Sequence, residues 1–222
     1  MKRDGRIALR LSILSYIAVA GWCLSLASAQ ESSTLAPLDT NGEITYFIAT
    51  GTAGSKFRAE DRDLANWALE AWSQSTNGAL RFTPGPESSA LLRVYWVPAT
   101  FGLYGEMQPI IVDGRRGAAV YIRPDTDALG EQIAQRSGDD PLFRDAVVYL
   151  TCLHELGHAL GLEHTAEFAD IMYSFGFGGD ILEFFDRYRD ELYSRDDIAA
   201  VSGLSDGDLT QLQALYGKLV QR

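Results

Sequence analysis

Cysteine, histidine and methionine are scarce in this chain, with two, three and three residues among 222. Cys23 falls in the apolar N-terminal stretch, which leaves Cys152 alone in the body of the chain. No intrachain disulfide is then available, so stability has to come from a packed core and any bound metal. Basic residues are also short, 19 against 30 acidic, for a net charge of −11, which argues against nucleic acid as a partner. There is no internal repeat and no low-complexity tract. A hydrophobic share of 46% with 11% aromatics supports one substantial folded domain rather than disorder.

Lys2, Arg3, Arg6 and Arg10 form a basic start, residues 11–26 are largely apolar but interrupted by Ser12, Ser15 and Ser25, and Ala27-Ser28-Ala29 matches a small-residue cleavage site. Residues 1–29 are therefore read as a secretory signal cut before Gln30, giving a secreted or periplasmic protein without stable membrane insertion. Cleavage removes four of the 19 basic residues and one of the 30 acidic ones, leaving about −14 over 193 residues. Residues 30–42, rich in Ser, Thr, Pro and Asp, read as a mobile leader. The domain is expected at 43–222, with an upper part to 161 and a lower part from 162, and the chain is read as a monomer.

Residues 44–49 read as a strand, and the spacing of Leu64, Trp67, Ala68, Ala71 and Trp72 predicts a helix stopped by Asn77-Gly78. Short strands are expected at 80–83, 91–97 and 118–123, with an irregular Gly-rich segment at 101–117. Asp140 followed by Pro141 is a strong helix start, and Ala146, Val147, Leu150 and Leu153 carry the helical period on towards Gly161. Further helices are expected at 181–193, capped by Asp180 with Glu183 three residues on, and at 206–219, capped by Ser205.

The run from His154 to His164 reads HELGHALGLEH. His154 and His158, four apart on a helix, project from one face and can offer imidazole nitrogens to one ion. Glu155 lies about 100° round the helix, close to that ion without binding it. Gly161 permits a sharp turn that returns His164 as third ligand. Three imidazoles leave a fourth position for water, the signature of a catalytic zinc rather than a structural one. HExxH alone recurs by chance on amphipathic helices, but here the full HExxHxxGxxH pattern is complete and uses every histidine in the chain.

These residues resemble the zinc helix of the metzincin metallopeptidases. Asp170-Ile171-Met172-Tyr173 is similar to the clan's methionine turn beneath the metal, with Met172 as a packing residue and Tyr directly after Met as in matrixins. Ser174 stands where astacins and serralysins place a zinc-approaching Tyr, so Tyr173 is not assigned as a ligand. The ending LSDGDLTQLQALYG is similar to the final matrixin helix. The resemblance implies an α+β fold, a twisted, mainly parallel mixed sheet with two long helices plus a smaller helical C-terminal part. It also implies a zinc endopeptidase acting on protein or peptide substrates, with one catalytic zinc on His154, His158 and His164 and Glu155 as general base. By the same analogy 118–123 would be the edge strand that binds extended substrate, with Gly102 to Gly105 at the cleft rim.

Three departures stand out. No cysteine precedes the domain after cleavage, so a cysteine latency switch is absent; no further histidine exists for a second, His-bound zinc; and residues 174–203 are more than a compact matrixin needs between the methionine turn and the last helix. That extra segment reads either as a wall of the pocket beside the zinc or as packing against the core. Carboxylates near Asp113 or Asp125 are the candidates for a calcium ion, although carboxylates in turns are commonly just solvated. The competing functional reading is a secreted, zinc-containing binding or effector protein without peptidase activity, which would have no need of Glu155.

Overall fold

A computed structural model describes residues 35–101 and 104–220; the expected signal at 1–29, the first leader residues and Gly102 lie outside them. Five strands, β1 (Glu43–Ile48), β2 (Arg81–Pro84), β3 (Leu92–Trp96), β4 (Gly105–Val112) and β5 (Arg115–Ile122), form one sheet in the order β2-β1-β3-β5-β4. All neighbours run parallel except β4 and β5, which are antiparallel. The helices are α1 (Asp61–Gln74), α2 (Glu131–Asp139), α3 (Pro141–Ala159), α4 (Ile181–Arg189) and α5 (Asp206–Val220). This is the expected α+β arrangement, a mixed sheet with the long helices α1 and α3 and with α4 and α5 following in the chain.

The period-two burial of Ile44 and Ile48, Leu92, Val94 and Trp96, and Val120 and Ile122 turns one sheet face towards the helices. On α1 the buried stripe Leu64, Ala65, Ala68, Leu69 and Trp72 meets that face at helical spacing. The Trp72 indole also donates to the Leu153 carbonyl at 3.0 Å, tying α1 to α3. Arg144 of α3 grips Asp61 at the start of α1 in a buried two-pronged ion pair. Asp140 caps α3 as expected, its Oδ1 accepting from Leu142 N at 3.0 Å and Phe143 N at 3.3 Å with Pro141 in the first turn. Burial alone would raise the Asp140 carboxyl, but bonds from Arg189, the Phe143 amide and Arg136 outweigh it and hold the group below the usual range.

The structure corrects the reading of 101–123. Residues 105–112 are not irregular but form β4, joined to β5 by a two-residue turn in which Asp113 and Gly114 both have positive φ, 51° and 77°. Strand β5, expected at the edge, lies between β3 and β4, so the edge is β4. Pro109 obscured it: a proline breaks a strand pattern, yet an edge strand tolerates its missing N–H. Helix α2 was not anticipated, because only Ile133 and Ser137 on it are buried and the apolar period is too sparse to read. The leader is also shorter than expected, since Leu38 is buried and its amide donates to the Tyr216 hydroxyl. Arg116 Nε further holds Ala36 O at 3.0 Å. Finally, α4 stops at Arg189, leaving Tyr193 97% exposed.

Candidate metal centre and cleft

Helix α3 delivers His154 and His158 one turn apart, and its C-terminus places the third histidine. Gly161 has φ 98°, and a Cβ there would lie 2.8 Å from the Ala36–Pro37 backbone, so the turn demands glycine both for its dihedral and for its neighbour. Beyond it the chain returns His164 to the other two rings. The Nε2 atoms of His158 and His164 are 3.0 Å apart and those of His164 and His154 3.3 Å. Among the described residues this is the one group of three or more His, Cys, Asp or Glu side chains whose donor atoms converge, all within 4.8 Å.

The far side of each helical ring is fixed by the backbone. His154 Nδ1 lies 2.6 Å from Ile171 O and His158 Nδ1 2.9 Å from Leu162 O. A carbonyl only accepts, so Nδ1 carries the proton on both rings and each Nε2 turns a lone pair inward. Burial, with the neighbouring imidazoles, lowers His154 to about 3; burial lowers His158 to about 4 and also pulls down His164. His164 Nε2 stands 3.0 and 3.3 Å from the Nε2 atoms of His158 and His154, which turn their lone pairs towards it. Their spacing is about the edge of a tetrahedron with bonds of roughly 2.0–2.1 Å, so the donor set fits a zinc ion.

Residues 170–173 lie beneath this triad. Met172 is fully buried, and a Cβ on Gly157 would come within 2.4 Å of its sulfur, so glycine between the two helical histidines lets the thioether approach the helix backbone. Thr165 N donates to Met172 O at 2.9 Å and Ser174 N to Thr165 O at 3.1 Å, joining the turn to the loop that carries His164. The turn is held from below by Asp208 of α5, 0% exposed, whose carboxylate accepts from Ile171 N at 2.9 Å and Met172 N at 3.2 Å. It also accepts from Ser205 N and Oγ, both at 2.9 Å, while Ser205 Oγ accepts from Asp208 N and so caps α5. Sequence reasoning missed Asp208 and Gly157; Ser205 reads as the cap of the last helix, but nothing local shows that Asp208 reaches the turn. The Tyr173 hydroxyl donates to Gly178 O at 2.9 Å, away from any ligand role.

Glu155 is buried, with its side chain against Gly105 of β4. A Cβ on Gly105 would sit 2.5 Å from Glu155 Cγ and Oε1, so that glycine makes the room the carboxylate occupies. Burial, then the Glu106 charge, push the Glu155 carboxyl up to about 8. A cavity of about 290 Å³ opens beside His154 and Glu155, and Leu129, Leu150, Phe175, Ile181, Phe184 and Phe185 make its walls largely apolar. Of the calcium candidates, Asp125 holds Lys56 Nζ at 3.0 Å and the Asp127 amide at 3.1 Å, and Asp113 sits in the hairpin turn. Cys152 is buried next to the site, its thiol pushed up by burial.

No curated protein matches the chain. The sequence profile of the peptidase family described as Matrixin matches residues 38–217, from the docked Leu38 through the histidine triad to the end of α5. A match over most of the chain, together with a triad built to hold zinc, shows that this protein belongs to the matrixin family of metzincin zinc metallopeptidases.

Proposed function

We propose that the protein is a zinc endopeptidase in which Glu155 is the general base. The observation that carries this is the pairing of three converging Nε2 atoms with a buried carboxylate at the mouth of an apolar cavity. His154, His158 and His164 would hold one zinc ion, which when bound supplies Lewis acidity towards a peptide carbonyl and a water molecule. Glu155 then accepts the proton that the attacking water loses and delivers it to the amine nitrogen of the departing peptide. A carboxylate suits both tasks, because it takes a proton from the water and returns it to the more basic amine. The edge strand β4 offers its free side to an extended peptide, and the apolar cavity receives one side chain of that peptide.

A zinc-containing binding protein would have no use for a buried carboxylate kept beside the metal by a glycine. Cleavage of an unbiased peptide library by wild type and by Glu155→Ala, each with and without chelator, decides between the two. The endopeptidase reading expects internal cuts that chelator abolishes and that the variant makes at least about 100-fold more slowly. Equal cleavage by the variant removes Glu155 from the mechanism. Secretion with cleavage before Gln30 is part of the proposal, and the N-terminal mass of exported protein tests it.

A further inference from the structure

The sheet face turned away from α1 and α3 carries a row of aromatic rings that the peptidase reading leaves unused. Phe47 of β1, Tyr95 of β3 and Tyr121 of β5 follow one another across neighbouring strands with ring centroids 6.5 and 5.4 Å apart, and Phe101, 39% exposed, stacks on Tyr121 at 5.2 Å. Each alternates with the helix-facing residues of its strand, which puts the row on the outer face. On β4 the residue directly opposite Tyr121 is Glu106, and residues paired across strands share a face. Glu106 makes no ion pair with another described residue, and its side-chain hydrogen bond comes from Gln108 Nε2 at 2.8 Å.

We infer that Glu106, with Tyr121 and Phe101 beside it, forms a subsite for a lysine or arginine side chain of the substrate. The inference rests on the endopeptidase reading with peptide bound along β4. An unpaired carboxylate that shares a face with aromatic rings attracts a cation by charge and through the ring quadrupole. A peptide added to β4 alternates its side chains between the two faces. The one that enters the cavity lies on the same side as Gly105, whose partner in β5 is the buried Ile122, so a side chain meeting Glu106 stands an odd number of positions away. The net charge of −11 draws the same class of substrate towards the protein.

The test is a peptide series with one apolar anchor and a lysine, glutamine or glutamate placed singly at each flanking position, cleaved by wild type, Glu106→Gln and Glu106→Lys. The result expected is a roughly two- to five-fold preference in kcat/KM for lysine over glutamine at one odd-spaced position, the size of a cross-strand ion pair. That ratio should fall to one in Glu106→Gln, invert in favour of glutamate in Glu106→Lys, and shrink at 1 M salt. Comparing ratios within each variant removes any change in overall rate. A preference that survives Glu106→Gln, that falls at an even-spaced position, or that is absent from wild type overturns the subsite. If wild type cleaves no peptide at all, the endopeptidase reading fails and the subsite with it.

Discussion

Replacing Asp208 by alanine tests whether the metal centre is held from beneath. The carboxylate is fully buried and is the acceptor for the amides of Ile171 and Met172, themselves 1% and 0% exposed. Alanine leaves two buried N–H groups without a partner, at about 1–3 kcal/mol each, so a loss of about 4 kcal/mol is expected. For a domain of this size that corresponds to a melting temperature roughly 8–16 °C lower. The consequence for the metal follows from one residue, since Ile171 gives its N–H to Asp208 and its carbonyl to His154 Nδ1. Freeing the amide lets the carbonyl that orients His154 move, and zinc affinity should fall about 10–100-fold, as when partners of ligand histidines are lost in other sites. Asp208→Asn, which keeps the shape and one acceptor oxygen, should lie between the two on both scales. Thermal unfolding of the zinc-loaded protein and competition with a chromogenic chelator measure the effects. If Asp208→Ala melts within about 2 °C of wild type, or Asp208→Asn binds zinc no more weakly than wild type, the support role is refuted.

Four further outcomes are expected. His158→Ala should purify without stoichiometric zinc by elemental analysis, because two imidazoles cannot reproduce the converging triad. Gly105→Val should keep zinc and fold but lose at least about ten-fold in turnover, since its side chain would take the place of the Glu155 carboxylate; unchanged turnover would mean that Glu155 needs no fixed position. Asp140 has a lowered folded-state pKa, so its contribution is present above the unfolded carboxylate value of about 3.9 and lost as pH falls through the depressed one. Asp140→Asn, which still caps the helix, should therefore be less stable than wild type at neutral pH and converge with it in acid denaturation monitored at about pH 2–3. Ile181→Ala should broaden cleavage towards larger side chains with a small change in melting, whereas Tyr188→Ala should lower melting by several degrees and leave preferences alone.

The parts legible in the sequence were those set by local chemistry. The Asp140-Pro141 start, the positive φ at Gly161 and the convergence of the three histidines each depend on residues within about three helical turns, so spacing was enough to read them. The parts that were not legible depend on what meets what across the fold. Nothing local to 105–112 says that its neighbour is β5 and that no described strand pairs its other side, and Pro109 weakens the strand pattern there. Gly105, Gly157 and Asp208 are likewise defined by partners 50, 15 and 37 residues away, namely Glu155, Met172 and Ile171. A glycine required by a distant side chain leaves no periodic signal.

The segment from Ser174 to Gly203 shows why the two readings of it, pocket wall and core packing, were both attractive from sequence. Its apolar residues recur at helix spacing, and such spacing says that a face is buried without saying against what. In the fold α4 meets two different surfaces. Ile181 and Phe184 turn to the cavity beside Glu155, where Phe184 also packs edge-on against Phe175 at 5.3 Å. Tyr188, one turn further on, stacks on Tyr149 of α3 at 5.4 Å and donates to Val201 O at 2.7 Å, while Phe185 bridges the two, lining the cavity and standing edge-on to Phe143 at 6.4 Å. The ring that shapes the pocket is thus anchored to the helix that carries the metal ligands, and deleting the segment would remove both surfaces together. If the cavity takes a substrate side chain, residues on the cavity side of α4 are the ones expected to tune preference, while those on the other side hold α4 against α3.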